Sequence, residues 1–465
     1  MNKLFGTDGI RGLANEYPIT SEMAMKVGRA VAYFFNRREK GRVRIIIGKD
    51  TRISGYMLEY ALVSGICSMG ADAYLTGVLP TPGIAYITAS TDADAGIVIS
   101  ASHNPFYDNG IKIFKRDGFK LSDEKEAEIE KMLLSDEIFS ICRNIRMTGG
   151  VYRIDDAGQN YIDFLLSKVQ ENFCQGLKII IDCSNGATYK VASELFVRLG
   201  AEVETLFNNP DGKNINENCG SEYTSELKKI VLEKRADIGL AFDGDGDRLI
   251  AVDEKGNIIT GDQILAICAK NMKKKGQLKS NTVVSTVMSN MGLGIALEYM
   301  GIKHIKAKVG DRYVLEGMIH SGAVLGGEDS GHMIFLDHQT TGDGILTALK
   351  LIEALKNNFE PMSELVKIMN VFPQVLINVE VKNKPDISSV QRITEAIKAV
   401  EKKLAGKGRV LVRYSGTQPL CRVMVEGPTR KITENYCQEI ADIIISNPGS
   451  NPKNIEIGKL FHQLL

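Results

Sequence analysis

Short apolar runs alternate with longer amphipathic stretches along most of the chain. We predict strands at six of these runs: VRIIIG (43–48), AGIVIS (95–100), LKIIID (177–182), IGLAF (238–242), TVVSTV (282–287) and AVLGG (323–327). The stretches 55–69 and 188–199 carry apolar residues at i, i+3 and i+4 spacing, which predicts helices. Strands that alternate with helices favour α/β domains with mostly parallel sheets.

A weak internal repeat runs through the same region. The stretches 93–105, 236–248 and 321–332 each contain a short apolar strand that leads directly into a polar loop. The first two share Ala-Asp-x-Gly before the apolar run. We interpret them as three related α/β units, with chance similarity among strands as the alternative. Ligands of open α/β sheets bind at the carboxyl ends of strands, so these loops are the candidate sites.

The pattern changes after Phe372, where a strand, a helix, two strands around a loop and a final helix are predicted. This order indicates a small α+β domain. The sequence therefore predicts an α/β protein of three related domains with mixed sheets, followed by a smaller C-terminal α+β domain. The predicted domains span residues 1–155, 156–257, 258–372 and 373–465.

Composition narrows the class of protein. The chain has 57 basic and 57 acidic residues and a formal net charge of +0, which argues against a broad nucleic-acid surface. The first residues, MNKLFGTDGIRG, do not resemble a signal peptide, and no segment has the ~18 consecutive apolar residues of a membrane span. The eight cysteines form no C-x-x-C pair, which favours reduced thiols and a cytoplasmic location.

The segment Asp243-Gly-Asp245-Gly-Asp247-Arg248 carries the strongest chemical signal. In an extended segment, side chains at i, i+2 and i+4 point the same way, so the three carboxylates are expected to converge. Such a cluster favours a hard cation, and Mg²⁺ is the usual partner of phosphates. An EF-hand would need Gly where Arg248 stands. A solvated acidic turn remains an alternative, and Arg248 is expected to pair with the carboxylates or with a phosphate.

The strand that ends at Ser100 is followed by Ala-Ser102-His103-Asn-Pro, and a tight turn is predicted at 108–110 before the chain resumes at Ile111. No G-x-S-x-G elbow is present, and a serine next to a histidine is not a triad geometry. Beside a divalent cation, Ser102 is suited to carry a phosphoryl group and to act as the fourth oxygen ligand. The alternative is a serine that only ends a strand.

Other loops supply cations and hydroxyl groups. Arg11 and Lys112 stand in glycine-rich contexts, although surface solvation is the ordinary fate of a single Arg or Lys. The segment 327–332 offers groups that would bind sugar hydroxyls, and its histidine could shuttle protons. The segment 413–422 combines guanidinium, hydroxyl and backbone N–H groups, which is typical of a phosphate-binding loop. A plain hairpin loop is the alternative there.

Five motifs, FGTDGIRG, ISASHNP, DGDGDR, GEDSGH and RYSGTQP, occur in this order, and together they resemble the α-D-phosphohexomutase family over nearly the whole chain. The segments 48–59, 286–293 and 307–314 are most similar to the branch that acts on glucosamine phosphates. The loops of that branch usually read GEQSGH and RPSGTEP, so Asp329, Tyr414 and Gln418 are departures. Tyr414 lacks the fixed φ of proline, and Gln418 removes a carboxylate near an anion site.

The resemblance implies four domains around one central cleft and a phosphoserine enzyme that works through a bisphosphorylated sugar. Carried over position by position, it implies phosphorylation of Ser102, metal binding by the oxygen of Ser102 with Asp243, Asp245 and Asp247, and catalytic roles for Arg11, Lys112, Arg248 and His332. It implies substrate binding by the following residues: His103, Glu328, Ser330, Arg413, Ser415, Gly416, Thr417 and Arg422.

The implied reaction interconverts glucosamine-6-phosphate and glucosamine-1-phosphate and feeds UDP-N-acetylglucosamine synthesis. The expected cofactors are one Mg²⁺ per active site and a hexosamine 1,6-bisphosphate as activator and intermediate. A small-molecule sugar phosphate is the expected partner, with no nucleic acid and no membrane. The oligomeric state is left open, with a homodimer as one alternative. Mannose and glucose phosphates remain rival substrates. A sugar phosphatase and a non-catalytic sugar-phosphate sensor are the alternative classes.

Overall fold

The computed structural model describes residues 4–6, 8–36, 41–135, 137–142, 145–415, 419–446 and 450–458. The chain divides into two compact units. The first consists of Met1–Met288 with Ile302–Lys367, and the second of Ser289–Gly301 with Ile368–Leu465. Among the described residues, no helix has both the length and the apolar character that a membrane crossing requires.

The first unit begins with a mixed sheet of six strands in the order β1-β5-β4-β2-β3-β6. Its elements are β1 (Ile10–Leu13), α1 (Ser21–Asn36), β2 (Arg44–Lys49), α2 (Ser54–Ser68), β3 (Asp72–Val78), α3 (Thr81–Ser90), β4 (Ala95–Ile99), β5 (Asp108–Lys115), α4 (Asp123–Leu134), α5 (Glu137–Cys142) and β6 (Val151–Arg153). Strands β2 and β4 are nearly continuous apolar runs because helices cover both faces of the sheet.

A second sheet of five strands follows, in the order β11-β10-β9-β7-β8. Its elements are α6 (Ala157–Leu166), β7 (Lys178–Asp182), α7 (Val191–Arg198), β8 (Glu202–Leu206), α8 (Ser225–Lys234), β9 (Ile238–Phe242), β10 (Leu249–Asp253) and β11 (Ile258–Ile259). Strand β9 is entirely buried and leads directly into the aspartate-rich loop. The polar segment 243–248 therefore emerges from the centre of the sheet.

The third sheet has four strands in the order β13-β12-β14-β15. In chain order, this part contains α9 (Gly261–Lys274), β12 (Thr282–Thr286), α10 (Met291–Tyr299), β13 (Lys303–Ala307), α11 (Asp311–Ser321), β14 (Leu325–Gly327), β15 (Met333–Phe335), α12 (Gly344–Asn358) and α13 (Met362–Leu365), of which α10 belongs to the second unit. Helix α9 begins with a reciprocal capping box, in which the Thr260 side chain accepts from the Gln263 N–H and the Gln263 side chain accepts from the Thr260 N–H.

The second compact unit holds α10 and a four-stranded antiparallel sheet in the order β17-β18-β16-β19. Its remaining elements are β16 (Gln374–Val381), α14 (Gln391–Leu404), β17 (Arg409–Tyr414), β18 (Leu420–Glu426), α15 (Arg430–Ile445) and β19 (Ser450–Gly458). The fully buried Glu426 accepts from Arg409 Nε at 2.6 Å and from the Met291 N–H at 3.0 Å, which ties α10 to this sheet. Strand β19 was not among the predicted elements.

One topological pattern recurs in the three sheets of the first unit. Strands β2 and β4, β7 and β9, and β12 and β14 pair in parallel. The second member of each pair then continues through a polar loop into an antiparallel partner, β5, β10 or β15. The prediction of three related α/β units with mixed sheets is therefore confirmed. The predicted turn at 108–110 is wrong, because these residues open strand β5 and the chain reverses between residues 102 and 107.

Candidate active site

The loop between β4 and β5 holds Ser102 in an uncommon backbone conformation. Ser102 is 1% exposed and has a φ of 53°, in the left-handed region that non-glycine residues seldom adopt. Its N–H donates to Ser100 Oγ at 2.9 Å, and its hydroxyl donates to Asp243 Oδ2 at 2.5 Å. His103 Nδ1 lies 3.4 Å from the same hydroxyl. The serine oxygen thus faces the aspartate-rich loop directly.

A buried arginine supports this loop from behind. Arg52 is 0% exposed, and its Nε donates to Asp50 Oδ2 at 2.8 Å. Asp50 Oδ2 also accepts from the Ser100 hydroxyl at 2.6 Å. The guanidinium donates to the backbone carbonyls of four loop residues: Ser102, Asn104, Pro105 and Asp108. The reversal between β4 and β5 is therefore fixed by an internal cation rather than by regular backbone pairing.

The aspartate-rich loop brings its three carboxylates together, as predicted, but in a different way. Residues 243–248 form a turn rather than an extended segment, with Gly246 at a φ of 73°. One oxygen from each of Asp243, Asp245 and Asp247 lies within 4.8 Å of the others, and all three residues are buried. The alternative of a solvated acidic turn is excluded by this burial.

The donor set fits a hard divalent cation. Asp245 Oδ1 and Asp247 Oδ1 are buried and have no hydrogen-bond partner among the described residues. Buried carboxylate oxygens without partners are costly, and oxygen-only ligands suit Mg²⁺ or Ca²⁺. Within the described chain, this is the one group of three or more His, Cys, Asp or Glu side chains with metal-ligand spacing.

Two of the carboxylates, Asp243 and Asp247, differ in their electrostatic surroundings. Burial, followed by repulsion from Asp247 and Asp245, raises the pKa of Asp243 well above its ordinary value. Burial would also raise the pKa of Asp247, but His332, Lys112 and Arg248 outweigh it and hold this pKa below its ordinary value. The surrounding cations therefore act more strongly on the Asp247 carboxylate than on that of Asp243.

Two of the predicted catalytic cations lie beside this cluster, and a third lies beside the serine loop. Lys112 Nζ is 2.8 Å from Asp245 Oδ2 and 3.8 Å from Asp247 Oδ2. Burial would lower the pKa of Lys112, but these carboxylates and Asp8 raise it, so the lysine is charged. Arg248 Nε lies 3.7 Å from Asp247 Oδ1, and Arg11 Nη1 donates to the Ala101 carbonyl at 3.3 Å.

The Arg248 guanidinium, burial and then Arg11 lower the pKa of His103 to about 2.

The loop between β14 and β15 meets the aspartate-rich loop through its histidine. His332 Nδ1 lies 3.5 Å from Asp247 Oδ2, and the backbones of His332 and Arg248 form a β-bridge. The Gly342 N–H donates to His332 Nε2 at 3.2 Å, and a Cβ at Gly342 would lie 2.4 Å from the imidazole ring. Burial would lower the pKa of His332, but Asp247 outweighs it and raises the pKa.

The other two predicted residues of this loop differ in their contacts. Glu328 Oε1 accepts from the Gly310 N–H at 3.0 Å, and burial raises the pKa of this carboxyl. Ser330 Oγ is buried and has no hydrogen-bond partner among the residues that the structure describes. A buried hydroxyl of this kind is available to a ligand.

The sequence analysis did not predict a network of ion pairs beside the site. Asp8 forms ion pairs with Arg11, with Lys112 at 3.1 Å and with Lys120, and Lys120 Nζ also reaches Asp311 Oδ2 at 2.5 Å. Burial would raise the pKa of Asp8, but the three cations hold it well below the ordinary value. Asp8 stands in the FGTDGIRG motif, which was a usable signal, whereas Lys120 lies in no quoted motif.

The C-terminal loop belongs to the second compact unit. Arg413 and Arg422 stand directly opposite each other in the β17–β18 ladder, and burial followed by Arg422 lowers the pKa of Arg413. Like charges placed side by side favour an anion between or above them. Lys384 Nζ donates to the Ser415 carbonyl at 2.6 Å, a third cation that the motif did not reveal. Gly416 and Thr417 lie outside the described residues.

A buried acid ends the strand β7 that neighbours β9. The Asp182 carboxylate accepts the N–H groups of Ser184 and Gly220, each at 2.8 Å. Burial raises the pKa of Asp182 to about 7, and these two hydrogen bonds offset only part of that effect. Asp182 thereby ties together the loops after β7 and before α8.

We expect this acid to make stability depend on pH. In the unfolded chain the pKa of Asp182 returns to about 3.8. Between pH 4 and pH 7 the folded chain therefore binds a proton that the unfolded chain releases. This contribution to stability is fully present below pH 4 and is lost progressively as the pH rises from 4 to 7. Asp182→Asn should remove it, so the free energy of unfolding of wild type relative to the variant should fall by up to about 1.4 kcal/mol per pH unit. Denaturant unfolding at pH 4.5, 6 and 7.5 measures this difference, and parallel pH profiles would contradict it.

The fold and the site together define a class of protein. Profiles described as phosphoglucomutase/phosphomannomutase match the chain as alpha/beta/alpha domain I at residues 2–138, domain II at 159–256, domain III at 260–372 and the C-terminal domain at 376–443. The chain belongs to this family, the α-D-phosphohexomutases, so the resemblance read from the five motifs is confirmed.

Individual relatives and solved structures are similar to this chain over nearly its whole length. The phosphoglucosamine mutase of Syntrophus aciditrophicus is 61% identical over 96% of this chain and 99% of its own length. That of Syntrophobacter fumaroxidans is 60% identical over the same shares. Among solved structures, a phosphoglucomutase/phosphomannomutase family protein from Burkholderia thailandensis aligns with a TM-score of 0.79 at 23% identity, over 97% of this chain and 98% of its own.

A more distant solved structure shows the same fold. The Aspergillus fumigatus N-acetylphosphoglucosamine mutase, in complex with GlcNAc-6P and magnesium, aligns with a TM-score of 0.63 at 16% identity, over 95% of each chain. Both structural alignments extend over nearly the full length of this chain. The four-domain α/β architecture is thus shared by proteins with little sequence identity.

Proposed function

We propose that this chain interconverts glucosamine-6-phosphate and glucosamine-1-phosphate through a phosphorylated Ser102. The observation that carries the proposal is the hydrogen bond from Ser102 Oγ to Asp243, which places a buried serine oxygen at a cluster of three carboxylates. Relatives that are 61% and 60% identical over nearly the whole chain bear the name phosphoglucosamine mutase. Mannose and glucose phosphates, or a phosphatase activity, are not favoured by these names.

The proposed reaction consists of two phosphoryl transfers. In the first, the phosphorus–Oγ bond of phospho-Ser102 breaks and a bond forms between phosphorus and the C1 oxygen of glucosamine-6-phosphate. The sugar hydroxyl gives up its proton and Ser102 regains one, so the products are a 1,6-bisphosphate and a free serine. In the second, after the bisphosphate has turned around, Ser102 Oγ forms a bond to the phosphorus at C6 and the bond between that phosphorus and the C6 oxygen breaks. Ser102 gives up its proton and the C6 oxygen gains one, which leaves glucosamine-1-phosphate and phospho-Ser102. We propose His332 as the group that relays the proton, since its ring lies against Asp247.

Charge compensation is the main task of the protein in such a transfer. We propose that Asp243, Asp245, Asp247 and the phosphorylated oxygen of Ser102 hold one Mg²⁺, which would offset the negative charge of the transferring group. Lys112 and Arg248 lie beside the same carboxylates, and Arg11 lies beside the Ala101 carbonyl of the serine loop. We propose that the three cations supply fixed positive charge to the phosphoryl oxygens. These cations are buried or paired, so they need little rearrangement during the reaction.

Substrate recognition is assigned to the remaining loops. We propose that His103, Glu328 and Ser330 contact the sugar, and the unpartnered Ser330 hydroxyl is the best supported of these contacts. Arg413, Ser415 and Arg422, together with Gly416 and Thr417, are proposed to bind a phosphate group of the substrate. The domain limits 1–155, 156–257, 258–372 and 373–465 and the role of a hexosamine 1,6-bisphosphate as activator belong to the same proposal.

A substrate comparison tests the proposed function. The protein is supplied in separate tubes with glucosamine-6-phosphate, mannose-6-phosphate or glucose-6-phosphate, each with Mg²⁺ and a trace of hexose bisphosphate, and ³¹P NMR follows the 1-phosphate resonance. We expect the glucosamine tube to convert about tenfold faster or more, which corresponds to about 1.4 kcal/mol of transition-state preference. Faster conversion of mannose-6-phosphate would overturn the substrate assignment, and release of inorganic phosphate alone would indicate a phosphatase.

A further inference from the structure

A side chain from the second sheet reaches into the serine loop of the first. Asn216 lies in the segment between β8 and α8, and its Nδ2 donates to the Ser102 carbonyl at 2.9 Å and to the Asn104 carbonyl at 2.9 Å. The same two carbonyls accept from Arg52 Nη2 at 2.8 and 2.7 Å. Each carbonyl is therefore held by one donor from its own sheet region and one from the next.

We propose that Asn216 is a positioning residue for phosphoryl transfer at Ser102. The proposal rests on the function proposed above and adds to it a residue that lies in none of the five motifs. Asn216 touches neither the carboxylates nor the serine hydroxyl by any hydrogen bond in the structure's described part. It acts through the backbone that carries the serine.

The backbone of Ser102 needs this support because its φ of 53° is an uncommon conformation for serine. Arg52 stabilises the reversal itself, since it contacts four carbonyls of one loop. The four contacts of Arg52 all lie within the serine loop, so they do not fix that loop relative to the aspartate-rich loop, which belongs to the second sheet. Asn216 links the two regions, because its side chain bonds the serine loop and its backbone N–H donates to the Ser184 carbonyl of the second sheet region at 2.9 Å.

The aspartate-rich loop packs on the same contact. A Cβ at Gly244 would lie 2.6 Å from the Ser102 carbonyl oxygen and 2.7 Å from Asn216 Nδ2. The absence of a side chain at Gly244 therefore leaves room for the hydrogen bond between the Asn216 amide and the Ser102 carbonyl. Gly244 lies in the sequence between two of the three aspartates. The Asn216 amide is thus one of the contacts that hold the serine loop against the carboxylates, and it is the one that bears on the backbone of Ser102. A displacement of about 1 Å between reacting groups costs roughly 10²-fold in rate.

Two variants of Asn216 test this role. Asn216→Asp keeps the size of the side chain and the tolerance for its φ of 59°, and replaces the N–H donor by an oxygen that faces two carbonyls. Asn216→Gly tolerates the same φ and removes the side chain without adding charge. Asn218→Asp is the matched control, since Asn218 is an exposed residue of the same loop with a φ of 53°.

The readouts are steady-state kinetics and the rate constant for phosphorylation of Ser102 by glucosamine-1,6-bisphosphate. The rate constant is expressed per site that becomes phosphorylated at the end point, so misfolded protein does not contribute. We expect both Asn216 variants to lower kcat and this rate constant by 10- to 100-fold alike, with KM for glucosamine-6-phosphate within about threefold of wild type. Asn218→Asp should match wild type in both.

The outcomes separate this proposal from the function on which it rests. Wild-type values of kcat and of the phosphorylation rate in both Asn216 variants would overturn the role of Asn216 alone. The same follows if the loss of activity equals the loss of phosphorylatable sites, because that result indicates a purely structural residue. A wild-type protein that accepts no phosphoryl group at Ser102 would overturn the proposed function and this role together.

Discussion

Ser102→Ala should lower the turnover of glucosamine phosphates by roughly 10³-fold or more while leaving sugar-phosphate binding largely intact. The serine oxygen both gives and takes the phosphoryl group in the proposed cycle, so no other atom can replace it. The substitution removes one hydroxyl that donates to Asp243 and leaves the supporting contacts of Arg52 and Asn216 with the backbone carbonyl. The loop should therefore keep its conformation.

The measurement pairs initial rates with calorimetric binding of glucosamine-6-phosphate to the purified protein. Ser446→Ala is a suitable control, because Ser446 is an exposed residue at the end of α15. We expect that control to retain wild-type turnover. Substantial residual turnover in Ser102→Ala would exclude the phosphoserine role. Reduced turnover or binding in the control would show that the preparations are not comparable.

Arg52→Met should destabilise the fold by about 3–5 kcal/mol, the range for removal of one partner from a buried ion pair. Arg52 is fully buried and is the cation that accompanies the buried Asp50 carboxylate. It also satisfies four backbone carbonyls of the serine loop, and methionine can satisfy none of them. Stability and turnover should therefore fall together.

Denaturant unfolding of the variant and of wild type measures this effect. Arg198→Met is the matched control, since Arg198 pairs with Asp163 at 3.1 Å but its side chain is 38% exposed. Surface pairs of this kind contribute about 0–1 kcal/mol, so the control should unfold close to wild type. Equal unfolding midpoints for Arg52→Met and Arg198→Met would contradict the account of the serine loop.

The structure brings Ser102 and the three carboxylates together, but through a local geometry that differs from the predicted one. The aspartate motif predicted a convergent carboxylate cluster because short-range spacing limits where three side chains can point. The reason given for convergence was wrong, since a turn at Gly246 rather than an extended strand brings the oxygens together. The turn expected at 108–110 was likewise misplaced. The Asp-Asn-Gly sequence favours a reversal, but these three residues pair with β1 and are part of strand β5.

Contacts between distant parts of the chain could not be predicted in this way. The hydrogen bond between Asn216 and Ser102 spans 114 residues, and that between Lys120 and Asp311 spans 191. Neither pair has a local pattern, since each depends on how one sheet lies beside another. Several strands were predicted from their apolar runs, because burial on both faces leaves a local signature. The last strand, β19, has nine residues and no such run, and it was not predicted.

An isotope experiment tests the central claim most directly. Protein that has been phosphorylated beforehand with unlabelled bisphosphate is mixed, in excess, with glucosamine-6-phosphate whose phosphate carries ¹⁸O, and a single turnover is stopped. If Ser102 carries the phosphoryl group, the glucosamine-1-phosphate should bear an unlabelled phosphate, and mass spectrometry should find the ¹⁸O-labelled phosphate on the peptide that contains Ser102. Retention of the label in the 1-phosphate product, with none on Ser102, would contradict the account.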